Sequence, residues 1–363
     1  MSKIFYAGMD VHKDSIFIAV IDNENTVILE KSIPNQLEKI RRFFNKFRKQ
    51  GKIISCYEAG CFGFELYRNI EEMGIECKII SPGHIAKKPG ERIKTDKRDA
   101  LKLARLLKND EAAGIYVPSI EDEATRDFLR ARDDLRIDLH KNRQRMLALL
   151  LRHRYRYTDG KNWTQKHYQW LRSIEFENDF LAHSFQTYYY QIKELEDKIF
   201  QIDQRIIVIA ESDKYKDRVN KLRSFKGIDY LTALSILTEI GDFKRFSTAS
   251  EFMAYLGLVP QIYASGKKRV SMSITKAGNT YLRRLLIEAS WHYRTKYFIS
   301  KKLNKRRIGQ SEQTIYYANK AMERLHKKYH KMNNIGKPKQ VIVTAISREM
   351  AGFIWGLMND KVS

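Results

Sequence analysis

The chain has 363 residues, and 67 Lys and Arg against 43 Asp and Glu leave a formal net charge of +24. With 43% hydrophobic and 12% aromatic residues it can build packed cores, which excludes a disordered chain and makes a layout of two or three domains the expectation. The basic residues are spread through folded-looking segments, so the excess favours a nucleic-acid partner over a membrane surface, because each phosphate neutralised releases a condensed counterion.

Short runs rich in Ile, Val and Phe at 4–10, 15–22 and 26–32 are separated by His-Lys-Asp and Asp-Asn-Glu-Asn, a pattern for three strands joined by tight turns. After Pro34-Asn35, the apolar residues Leu37, Ile40, Phe43, Phe44 and Phe47 recur at helical spacing. A crossover helix there leads to a strand at 52–58, a second helix at about 63–73 and a strand at 76–80. This β-β-β-α-β-α-β order predicts a mixed sheet with helices on its faces, in the manner of ribonuclease H. A helix starts at Asp96 with Leu101, Ala104 and Leu107 on its buried side, and Tyr116-Val117-Pro118 closes a first domain at 1–118.

From Ser119, a suitable N-cap, the chain runs to Tyr157 without Gly or Pro, with Phe128, Leu135, Leu139, Met146 and Leu150 as its apolar seam. A similar stretch at about 177–211 carries Ile192, Leu195, Ile199, Ile202 and Ile206. Two long helices with narrow seams fit either an antiparallel or intersubunit coiled coil, or a helical hairpin within one subunit. We assign 119–215 to such an assembly domain. The remaining 216–363 reads as a basic, mainly helical domain, with a turn at Gly227 entering an apolar helix that stops at Gly241. The fold class expected is therefore α/β plus all-α.

Four carboxylates stand out. Asp10 ends the first strand and Glu58 the fourth, where side chains leave the core while the backbone stays rigid. Asp96 and Asp99, three apart at a helix start, share one face. Four acids near one point repel one another unless a divalent cation neutralises them, and Mg²⁺ or Mn²⁺ suits hard oxygen donors. Each acid alone has a structural reading, as a turn residue or as a charge favouring the helix N-terminus.

The densest signal lies in 257–286. Ser265 precedes Gly266, and Lys267, Lys268 and Arg269 follow, an arrangement for close backbone approach to a phosphate and for holding its charge. A serine hydroxyl needs activation to attack, and no His or Asp stands nearby in sequence. Ser265 therefore fits phosphate binding as well as nucleophilic attack, with Ser271 and Ser273 as rivals. Lys276, Arg283 and Arg284 lie in or near a helix starting around Asn279, where a basic face would track a nucleic-acid backbone or remain solvated.

These residues resemble the DEDD transposases of insertion sequences, relatives of the Piv-type invertases that include bridge-RNA-guided recombinases. The resemblance rests on two blocks and covers nearly the whole chain. One holds Gly8-Met-Asp10, Tyr57-Glu58-Ala-Gly and Lys94-Thr-Asp96-Lys-Arg-Asp99-Ala; the other holds Gly257-Leu-Val-Pro260, Ser265-Gly266 and Ile274 to Asn279 through Leu282-Arg-Arg-Leu-Leu286. It implies a RuvC-like domain whose metal-site acids are Asp10, Glu58, Asp96 and Asp99, with Ser265 as nucleophile forming a phosphoserine link to DNA. It further implies a composite centre assembled across subunits, dimers joining into a tetramer on donor and target DNA, and a structured noncoding guide RNA. Two other functions fit the residues: a RuvC-like nuclease hydrolysing with the acids alone, and a non-catalytic nucleic-acid-binding protein.

The basic segment from Lys301 exceeds what the motif requires. His326 and His330, four apart with only lysines among the charges between them, read as part of a solvated basic face. Cys56, Cys61 and Cys77 form no even framework and no C-x-x-C pair, which suggests a reducing, cytoplasmic setting. The N-terminus shows no signal-peptide pattern, and Ser347-Arg348-Glu349 interrupts the apolar stretch 341–358, which reads as a half-buried helix with no membrane span.

Overall fold

Alternation of apolar and polar residues decides the first sheet. A computed structural model describes residues 3–84, 95–111, 114–265 and 268–362, with the backbone alone for 84, 262–265 and 268–271. The strands are β1 (Ile4–Val11), β2 (Ser15–Ile21), β3 (Val27–Pro34), β4 (Lys52–Glu58) and β5 (Glu76–Ile80), in spatial order β3-β2-β1-β4-β5. β1 to β3 form an antiparallel meander, whereas β4 and β5 run parallel to β1. That split follows from the connections: tight turns join the first three strands, and the helices α1 (Leu37–Arg48) and α2 (Glu65–Glu72) cross over to the parallel ones. The result is the ribonuclease-H-like mixed sheet expected from the element order.

Phe5, Ala7 and Met9 of β1 and Tyr57 of β4 face one core with Phe43, Phe44 and Phe47 of α1 and Ile70 of α2. The opposite face carries helix α3 (Asp96–Lys108), whose Leu103 and Leu107 pack with Cys56 and Ile80. Leu101, expected inside, is half-buried, and the buried stripe is Ala100, Leu103, Ala104 and Leu107. Close approach of α3 depends on Gly8: a Cβ there would lie 2.0 Å from the Ala100 carbonyl oxygen and 2.4 Å from the Ala104 nitrogen. Gly8→Ala is accordingly expected to push α3 off the sheet and cost about 1–3 kcal/mol by overpacking. Thermal unfolding of the full chain measures it.

The chain divides into two units, Met1–Val117 and Pro118–Ser363. In the second, α4 (Ile120–Arg152) is capped by the Ser119 side chain, and α6 (Asp179–Ala210) returns alongside it after α5 (Gln165–Arg172). The pairs Arg132–Asp203 at 2.9 Å and Arg143–Glu196 at 2.6 Å fix an antiparallel course. α4 and α6 thus pack as a hairpin within the chain, its far end filled by Leu139, Met146, Leu171, Phe185 and Ile192.

The base of the hairpin, Leu129, Ile206 and Ala210, shares one core with the helices that follow, so the expected middle and C-terminal segments form a single unit. Those helices are α7 (Lys216–Arg223), α8 (Tyr230–Ile240), α9 (Ala249–Tyr255), α10 (Thr280–Ser290), α11 (Lys301–Arg306), α12 (Glu312–Asn334) and α13 (Lys339–Met358), with the hairpin β6 (Pro260–Ser265) and β7 (Lys268–Ile274) between α9 and α10. Glu239 of α8, only 3% exposed, accepts from Arg126 and Arg130 of α4 and from Asn279 at the start of α10. A buried carboxylate needs such partners, and this one ties the hairpin base to the C-terminal core.

α13 is long and apolar enough to cross a membrane, yet Ile342, Ile346, Met350 and Ile354 sit fully inside this core. The solvated face expected for His326 and His330 is not where the structure puts them. Both are half-buried, with rings 4.4 Å apart and His326 Nδ1 3.2 Å from the Tyr293 carbonyl oxygen, because α12 packs against the segment after α10.

Candidate functional site

β1 delivers Asp10 to the C-terminal edge of the parallel strands, on the face that α3 covers, since Gly8 two residues earlier touches α3. Thr95 caps α3 by accepting from the Arg98 amide, which starts the helix at Asp96, and Lys97 pairs with Glu30 of β3 at 2.5 Å to pin that first turn. The outcome is a group in which His12 Nε2 lies 3.3 Å from Asp10 Oδ2 and 3.6 Å from Asp96 Oδ2, all three donors within 4.8 Å of one another.

Partial burial holds the Asp10 carboxyl above the usual aspartate range; the neighbouring His12 opposes this, and the negative charges of Asp96 and Asp99 reinforce it. Asp99, one turn along α3, thus acts on Asp10 through its field, although it stands outside the three-donor group. Glu58 also stands outside it, exposed at the last position of β4. Met9 pairs with Tyr57 in the parallel register, so Asp10 and Glu58 follow as neighbours on one face of adjacent strands. The structure therefore gathers Asp10, His12 and Asp96, leaves Asp99 further along the first turn of α3, and sets Glu58 at the same strand edge.

The donor chemistry fits a divalent cation. Carboxylate oxygens suit Mg²⁺ or Mn²⁺, and a bound cation removes the like-charge repulsion that lifts Asp10. His12 is the functional candidate that sequence reading missed: His12-Lys13-Asp14 do form the turn between β1 and β2, as expected, and that turn brings the His12 ring back to Asp10.

Ser265 is the last residue of β6, and its backbone pairs with Lys268 across the hairpin. Lys267, and the side chains of Ser265, Lys268 and Arg269, lie outside the described residues. On either side of them, Gln261, Met272 and Ser273 are exposed. The base of the hairpin is rigid: Thr275 N–H donates to Val259 at 2.9 Å and Lys276 N–H to Gly257 at 3.1 Å. Gly257 (φ 65°) and Gly278 (φ 74°) occupy left-handed backbone where a Cβ would strike Ala277 and Tyr255 carbonyl oxygens. Lys276 is exposed.

Arg283 is a correction to the sequence reading. Only 8% exposed, it donates to the carbonyls of Leu256 and Ala277 and to Thr280 Oγ1, all at 3.0 Å, and so clamps the hairpin base and does not face a nucleic-acid backbone. Arg284 is half-buried and divided between Asp133 and Glu288. Arg283→Met should cost about 1–3 kcal/mol by leaving buried carbonyls unpaired. The slope of DNA affinity against salt should stay unchanged, whereas loss of a phosphate contact lowers it by about one. Urea denaturation and salt titrations read the two effects separately.

Residues 7–154, which carry the four acids, match a DEDD transposase family model, and residues 219–302, which carry Ser265, match the model described as Transposase IS116/IS110/IS902 family. Over 338 residues the chain is 38% identical to the transposase for insertion sequence element IS1533 of Leptospira borgpetersenii, covering 92% of this chain and 97% of that one. It is 34% identical to a protein of Sinorhizobium fredii that bears a transposase name, over 98% of this chain and 88% of the relative. A more distant likeness, 25% over 80% of this chain and 78% of the relative, is to the transposase for insertion sequence element IS1111A of Coxiella burnetii.

Proposed function

From the premise that the chain belongs to the IS116/IS110/IS902 family of DEDD transposases, we propose that it cuts and exchanges DNA strands by metal-dependent, serine-mediated phosphoryl transfer under the direction of a guide RNA. The observation that carries the reading is the meeting of Asp10 and Asp96, with His12, beside the strand edge that holds Glu58. These four acids would hold Mg²⁺ or Mn²⁺, which when bound supplies Lewis-acid stabilisation of charge on a phosphoryl oxygen.

Ser265 Oγ attacks the scissile phosphorus, forming a phosphoserine ester as the bond to the 3′ oxygen breaks and that oxygen leaves as a hydroxyl. Attack by a 3′ hydroxyl from the other duplex reverses the step and joins new partners. Lys267, Lys268, Arg269 and Lys276 hold DNA phosphates near the serine. Base pairing with a structured noncoding RNA selects donor and target, a division of labour that suits a chain whose net charge of +24 serves backbone contacts. Dimers joining into a tetramer on donor and target DNA complete this reading.

The test incubates purified protein with the RNA flanking its gene and two DNA duplexes, with Mg²⁺ or with EDTA. Joined products and a protein–DNA adduct on a denaturing gel, both abolished by EDTA, are the expected result. Hydrolysis without an adduct would instead favour a nuclease working through its acids alone, a reading supported by the lack of a base beside Ser265 in sequence. Salt-dependent binding with no cutting, indifferent to chelation, would favour a non-catalytic binder.

A further inference from the structure

Away from both motif blocks, a cavity of about 820 Å³ opens between the turn before α8 and the start of α11. Its cationic lining is Lys226, Lys296, Lys302 and Arg306, with His292 beside them, against one carboxylate, Asp229. That carboxylate is already shared among Arg223 at 3.2 Å, Arg306 at 2.6 Å and Lys302 at 3.5 Å. The Arg306 Nε, though buried, has no hydrogen-bond partner among the described residues. Lys226 spends two of its N–H groups on Thr295 Oγ1 at 2.9 Å and the Lys296 carbonyl at 3.2 Å, which ties down the start of the 295–298 wall. His292 is held below the ordinary histidine range, first by partial burial and then by the charges of Lys226, Arg306 and Arg294.

The same wall exposes two aromatic rings, Phe298 at 66% and Tyr297 at 45%. An exposed phenylalanine beside cations that outnumber their one carboxylate is the pairing that single-stranded nucleic acid uses, with a base on the ring and phosphates on the charges. A duplex offers the phosphates but keeps its bases stacked. We propose that this cavity takes an unpaired nucleotide of a single strand, its base on Phe298 and its phosphate among Lys226, Lys302 and Arg306. The occupant is either a loop of RNA or a DNA strand displaced during exchange. The assignment rests on the proposed action on nucleic acids and adds a site specific for unpaired strands.

The experiment measures fluorescence anisotropy of labelled 12-nucleotide RNA, the same DNA single strand and the matching DNA duplex, with the full-length chain and its Phe298→Ala and Lys302→Glu variants. Phe298→Ala should weaken single strands about 10- to 100-fold, the range for loss of one stacked base, and leave the duplex within about twofold. Lys302→Glu should weaken single strands too and reduce their salt dependence. Greater loss on RNA than on the DNA strand identifies an RNA loop as the occupant; the reverse identifies displaced DNA. Equal loss on single strand and duplex, or none on either strand, overturns the proposal. Binding is read without cleavage, so a Phe298→Ala chain that binds single strands like wild type while wild type still forms the DNA adduct removes this site and leaves the proposed reaction standing.

Discussion

Asp10→Asn is expected to lower metal-dependent strand cleavage by at least about 10³-fold, equivalent to about 4 kcal/mol of transition-state stabilisation, while leaving the fold intact. The substitution keeps the shape of the side chain and removes one charge from a group in which Asp10, Asp96 and His12 meet within 4.8 Å. Because burial and the charges of Asp96 and Asp99 raise the Asp10 pKa against the opposing effect of His12, its ionised form is disfavoured in the folded chain. Its contribution to stability is present below the ordinary aspartate range and is lost as pH rises through the raised value. At neutral pH the asparagine chain should therefore unfold at the same temperature as wild type or higher, and Mg²⁺ should no longer raise that temperature. Wild-type cleavage by the asparagine chain, or an unchanged response to Mg²⁺, removes Asp10 from the metal site.

Ser265→Ala should eliminate the covalent protein–DNA adduct and reduce strand exchange by at least about 10⁴-fold, as loss of a nucleophile does. DNA affinity should hold within about twofold, since one hydroxyl is removed from a hairpin whose base is fixed by Gly257, Gly278 and Arg283. Denaturing gels and exchange assays with labelled duplexes provide the measurement. Retained exchange would return Ser265 to phosphate binding and shift attention to Ser273, which is exposed on β7. If nicking survives without an adduct, the acids act alone.

The two predictions differ in how much the structure adds. For Asp10 it supplies distances and a charge environment that sequence spacing could only suggest. For Ser265 it supplies the hairpin and its anchoring, while the serine side chain lies outside the described residues. The hairpin itself was not read from sequence: Val270, Met272 and Ile274 alternate with Ser271 and Ser273, but the basic run before them masks the period-two pattern. Arg283 shows the reverse problem. A guanidinium on a helix reads as a surface charge until the fold brings the Leu256 and Ala277 carbonyls to it.

Local periodicity alone determined β4 at 52–58, β5 at 76–80, the start of α3 at Asp96 and the two long helices, because strand and helix patterns depend on neighbours a few residues away. It also placed Asp10 and Glu58 at strand ends. Only tertiary structure decided that Gly8 admits α3 to the sheet, that His12 joins Asp10 and Asp96, and that the long helices pair within the chain and root in the C-terminal core. Each of these is a close approach between residues distant in sequence, set by the volume, charge and hydrogen-bonding needs of partners that no local pattern identifies.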